Sequence, residues 1–124
     1  MGLDQYAYIV AHDDKDGEFR TEIAYWRKHN RLQGWMSALA IVRGVVGSAR
    51  EFNCVDLELE ESDLDDLESD VKGETLPKTD GFFFGADSYD SYKMSHLMEE
   101  DLSFIKKARD AFSRGYKVVY SSWW

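Results

Sequence analysis

The sequence predicts an α+β fold, a small and mainly antiparallel sheet covered by two or three helices, in one domain spanning residues 1–124. Three observations carry that prediction. Apolar residues recur at helical spacing in two long segments, they alternate or run together in shorter ones, and glycines or polar turns separate the segments. A chain of 124 residues has room for one core, and its aromatic share of 15% brings large surfaces to bury.

The elements follow in order. Leu3 to Val10 is apolar or aromatic on both parities, as in a strand covered on both sides, and Ala11 to Thr21 reads as an exposed turn. From about Ala24 to Arg43 the period becomes helical: Tyr25, His29, Leu32, Met36 and Leu39 form one stripe, and Gly44 and Gly47 end it. Val55, Leu57 and Leu59 alternate with acids, which marks a strand with one wet face. Ser62 is placed to cap a short helix whose inner edge is Leu64, Leu67 and Val71, with Gly73 as its stop. Gly81 to Gly85, with three phenylalanines between the glycines, suits a buried strand or packed loop, and Asp87 to Lys93 is polar and tyrosine-rich. A long helix is expected from about Leu97 to Arg114, with Leu102, Ile105, Ala108 and Phe112 inward and Gly115 at its end. Tyr116 to Trp124 closes the order β-α-β-α-α-β as a final strand.

The net charge of −9 is unevenly spread. Glu51 to Asp80 holds twelve acids and two bases, whereas Ile23 to Arg50 holds five bases and no acid. Such asymmetry concerns partners and solubility, and two solvated faces that offset each other would also explain it. The single cysteine, Cys54, excludes an internal disulfide and a cysteine-rich metal site, and is expected as a small buried hydrophobe. Residues 1–6 lack a basic region followed by an apolar run, and no stretch has the length of a membrane span, so a soluble protein without membrane association is expected.

On a continuous helix over Ala24–Arg43, Trp26, Asn30, Gln33 and Ser37 would lie together beside the apolar stripe, with Arg27 and Arg31 on the next face. An aromatic plane beside two carboxamides and two guanidiniums suits a nucleotide-like ligand: the ring stacks on a base, the amides read its edge, and arginine grips phosphate. The same residues also describe an ordinary helix edge with Trp26 half-buried. His29, within the stripe, reads as a hydrogen-bonded core residue. His12 to Gly17 superficially resembles a calcium loop, but the closing position would be Ile23 where glutamate is needed. No phosphate-binding glycine loop, dinucleotide fingerprint, HExxH or paired CxxC is present, and no residue is nominated as catalytic, metal-binding or cofactor-holding.

Several blocks taken together, Met1 to Tyr6 (MGLDQY), Tyr25 to Asn30 (YWRKHN), Trp35, Gly81 to Gly85 (GFFFG) and Val119 to Trp124 (VYSSWW), resemble a widespread group of small accessory proteins of tailed phages and prophages. The resemblance spans nearly the whole chain. It implies expression in a bacterial host cytoplasm and a non-structural role, and carries over no catalytic residue. Members of that group often carry His where this chain has Gln33, so an imidazole there is dispensable.

The resulting expectation is a non-enzymatic binder that sequesters a nucleotide-derived ligand, such as a host defence signal, through Trp26, Arg27, Asn30, Arg31 and Gln33, with no cofactor. The aromatic content adds an expected homo-oligomer. Two alternatives stand beside it: an acidic inhibitor that mimics nucleic acid and docks on a host nucleic-acid-binding protein, and a small nucleotide hydrolase. Direct binding of nucleic acid is not expected at this net charge.

Overall fold

The computed structural model describes residues 2–14, 19–77 and 96–124; the GFFFG block and the tyrosine-rich stretch after it lie outside these. Four strands, β1 (Asp4–Ala11), β2 (Arg20–Arg27), β3 (Leu57–Leu59) and β4 (Tyr116–Trp123), form one sheet in the order β2-β1-β4-β3. Every pairing is antiparallel, so the fold is a small α+β domain as expected. The helices among the described residues are α1 (Asn30–Val42), α2 (Glu61–Lys72) and α3 (Leu97–Ser113), with a 3-10 turn at Ala49–Phe52.

The expected helix over Ala24–Arg43 is two elements. Its first residues belong to β2, where Tyr25 pairs with Tyr6 and Trp26 with Gln5. Aromatic side chains fit a pleated surface, and in a strand neighbours point to opposite faces. Trp26 accordingly enters the core while Tyr25 stays exposed. Lys28 then takes the left-handed conformation, φ 56°, which ends the strand, and its N–H donates to the Leu3 carbonyl at 2.8 Å. The His29 ring caps α1 by accepting the Leu32 N–H, 3.4 Å.

Two further local expectations are corrected. Ser62 lies inside the first turn of α2; the helix begins after Glu60, whose N–H donates to the Asp63 carboxylate at 2.7 Å. The longer carboxylate three residues into the helix reaches back where the Ser62 hydroxyl does not, and satisfies an otherwise orphaned donor. Cys54 is exposed, because it sits at φ 60° in the tight turn before β3 while its N–H donates to the Ser122 carbonyl, 2.8 Å.

One core joins all the layers. Ala7, Trp26, Leu57, Leu59, Val118 and Tyr120 from the sheet meet Leu32, Met36 and Ala40 of α1, Leu64, Leu67 and Val71 of α2, and Phe104, Ile105 and Ala108 of α3. Leu39, Leu102 and Phe112, expected inside, are half-buried at its margin. The other face of the sheet carries Tyr6, Tyr8 and Tyr25; Tyr6 lies 6.0 Å from Tyr8 and 5.3 Å from Tyr25, and the Arg20 guanidinium sits 5.0 Å over Tyr8. Among the described residues no helix is long and apolar enough to cross a membrane.

Candidate functional site

Strand register builds a polar row into the inner face of the sheet. Gln5 pairs with Trp26 on one side and Ser122 on the other, so the three lie side by side across β2, β1 and β4. The next inward row is Ala24, Ala7 and Tyr120, and the two alanines leave space for the phenol. Above this corner stands the first turn of α1, with His29, Asn30, Arg31 and Gln33 all buried.

Gln5 is used on both ends of its amide. Its Oε1 accepts the His29 N–H at 2.9 Å, and its Nε2 donates to the His29 carbonyl and to Tyr120 Oη, each at 3.0 Å. Tyr120 Oη in turn donates to Gln33 Oε1 at 2.6 Å. Burial pushes the Tyr120 hydroxyl far above the usual tyrosine range, with the Gln5 bond opposing it, so the phenol is neutral at any ordinary pH. Because Nδ1 of His29 accepts from Leu32, its Nε2 carries the proton and donates to Asp101 Oδ2 of α3, 2.7 Å away, both side chains being buried.

Two hydrogen-bonding groups in this corner are buried and have no partner among the described residues, Trp26 Nε1 and Gln33 Nε2; the Ser122 hydroxyl, also buried, interacts with that of Tyr120. Native interiors rarely leave such groups unmet, and each costs about 1–3 kcal/mol when orphaned. Both are donors, one indole N–H and one amide NH2, and the hydroxyl of Ser122 beside them can serve either way. Trp26, which packs edge-on against Phe104 at 5.1 Å, also borders an open cleft of about 380 Å³ between β2 and α3. His96, Glu99, Glu100, Ser103 and Lys107 are among the other residues that line that cleft, and Lys107 Nζ donates to the Ile23 carbonyl at 3.4 Å.

Of the five residues nominated from sequence, Trp26 and Gln33 meet around Tyr120: the Trp26 ring lies 6.3 Å from that of Tyr120, to which Gln33 is bonded. Asn30 and Arg31 share the first turn of α1, where Arg31 Nη1 donates to the Leu76 carbonyl at 3.1 Å. Arg27 stands apart. One residue after Trp26 on a strand, it is exposed on the tyrosine face, opposite Asp4. Sequence reasoning missed Gln5, Tyr120, Ser122 and Asp101. For Gln5 a signal existed: it shares the parity of Ala7 and Ile9, which marks an amide pointing inward from an apolar strand.

The arrangement can hold and read a polar ligand, but it is poorly arranged for acid–base catalysis. Both ring nitrogens of His29 are engaged, one by the helix cap and one by Asp101, which leaves no lone pair for a substrate proton. Among the described residues no group of three or more His, Cys, Asp or Glu side chains could hold a metal ion. No known protein family, curated protein or solved structure matches the chain.

Proposed function

We propose that this protein is a non-enzymatic binder that sequesters a nucleotide-derived ligand, in the phage setting implied by its resemblance a host defence signal. The supporting observation is the pair of buried donors without a partner among the described residues, Trp26 Nε1 and Gln33 Nε2, set with the Ser122 hydroxyl around a neutral Tyr120. Amide, indole and hydroxyl groups of this kind read the edge of a base or a ribose. Trp26 borders the adjoining cleft, which is of nucleoside size. The same reading retains a homo-oligomer in the host cytoplasm.

The hydrolase alternative is disfavoured by the fully engaged His29. Nucleic-acid mimicry is disfavoured because the acids of α2 are largely used internally. Asp63 and Glu60 pair with Arg43, Asp65 and Glu68 pair with Arg109, and Asp70 accepts from Trp35.

Native mass spectrometry after incubation with a panel of nucleotides and cyclic nucleotides tests the proposal, with the supernatant analysed for conversion. Intact ligand bound to the protein is expected. Converted ligand would establish an enzyme, and neither outcome with any panel member would overturn the reading. Calorimetry on the retained nucleotide then locates the site. Ser122→Ala should weaken binding about two- to tenfold, the worth of one hydrogen bond, while Arg27→Ala on the opposite face of the sheet should leave it unchanged.

A further inference from the structure

Helix α1 carries more apolar surface than the core uses. Leu32, Met36 and Ala40 form the stripe that enters the interior. A second stripe, Trp35, Ala38, Leu39 and Val42, follows the same helical spacing on the flank and borders a groove of about 450 Å³ shared with α2. Val42 is 83% exposed, and its neighbours Ile41 and Val45 are 41% and 43% exposed. The opposite wall belongs to α2 and is acidic, with Asp66 and Asp70 one turn apart. Among the described residues no basic side chain lines the groove. Asp70 also sets the geometry of the apolar wall, because its Oδ2 accepts the Trp35 indole N–H at 2.9 Å while Oδ1 accepts the Thr75 hydroxyl at 2.7 Å.

We propose that this groove is a docking site for a basic amphipathic helix of another protein, distinct from the ligand site beneath α1. An apolar wall facing an acidic wall matches a helix with leucine-like residues on one face and lysine or arginine on the adjoining one. Charge complementarity also selects the occupant. A second copy of this chain brings a net charge of −9 to an already acidic wall, whereas a cationic helix is drawn to it. The neighbouring cations are engaged elsewhere: Lys72 of α2 pairs with Glu68 and Arg109 of α3 with Asp65 and Glu68, while Asp66 has no ion pair among the described residues.

The probe is a fluorescently labelled leucine–lysine peptide of amphipathic helical pattern, with a scrambled peptide of identical composition as its control, both read by anisotropy. The patterned peptide is expected to bind at least tenfold more tightly than the scrambled one. Val42→Asp should reduce its affinity at least tenfold and Asp66→Lys at least threefold. Both positions are at the surface, so neither variant disturbs the core, and circular dichroism verifies this. Equal binding of the two peptides, or unchanged binding by both folded variants, overturns the proposal. Self-association abolished by Val42→Asp, without peptide binding, would assign the groove to a second copy and overturn it as well.

Discussion

The Tyr120 hydroxyl accepts from Gln5 and donates to Gln33 inside a region that water does not reach, so each of its neighbours depends on it. Tyr120→Phe keeps the ring but orphans the Gln5 Nε2 hydrogen and the Gln33 oxygen. Its expected cost is about 1–3 kcal/mol in urea melts at neutral pH, without loss of fold. The same residue links stability to alkali. Its pKa is raised by burial, so the folded chain retains a proton that the unfolded chain releases. Its contribution is therefore complete below the ordinary tyrosine value of about 10 and declines as pH rises above it. In the parent, tyrosinate absorbance should show a late phase that coincides with alkaline unfolding. In Tyr120→Phe that phase should be absent, and its persistence would show that another phenol is responsible.

At the scale of elements, the junction between β2 and α1 separates the two readings of this chain. Lys28 adopts φ 56°, a conformation that costs a side-chain-bearing residue about 1–2 kcal/mol and costs glycine little. Lys28→Gly is therefore expected to leave stability unchanged or raise it by up to about 1 kcal/mol. A helix continuous through this point would instead lose about 1 kcal/mol, so thermal melts of this one variant distinguish the two. Much else was legible from periodicity. The strands β1, β3 and β4, the helices α2 and α3, and the glycine stops at Gly73 and Gly115 stand where apolar spacing and turn residues put them. The β2–α1 segment was not, because Tyr25 and His29 happen to keep helical spacing with Leu32 while their real partners, Tyr6 and Gln5, are about twenty residues away in sequence. The site suffered from the same non-locality. Register across three strands gathers Trp26, Gln5 and Ser122, and a single sequence does not encode register in a readable form.

At the scale of the molecule, charge and aromatic surface are arranged on different sides. The acids concentrate on α2 and around β3, while the far face of the sheet presents Tyr6, Tyr8 and Tyr25 among residues of both signs, including Asp4, Arg20, Glu22 and Arg27. A face of balanced charge permits the expected homo-oligomer despite the overall negative charge. Light scattering should give a mass above that of one chain, with little change at high salt if the tyrosine face forms the contact. A monomer mass at high protein concentration and low salt would remove oligomerisation from the description.

The pairing of the first strand with the last has a consequence for synthesis. β4 is an interior strand, holding β1 on one side and β3 on the other, and Asp4 pairs with Trp123. During translation β1 and β2 can form only a two-stranded hairpin, a unit that is marginal alone in water. Helices α1, α2 and α3 emerge before the surface they cover is complete. A nascent chain stopped short of Tyr116 thus leaves the inner face of the sheet incomplete, and its completion waits for Tyr116–Trp123.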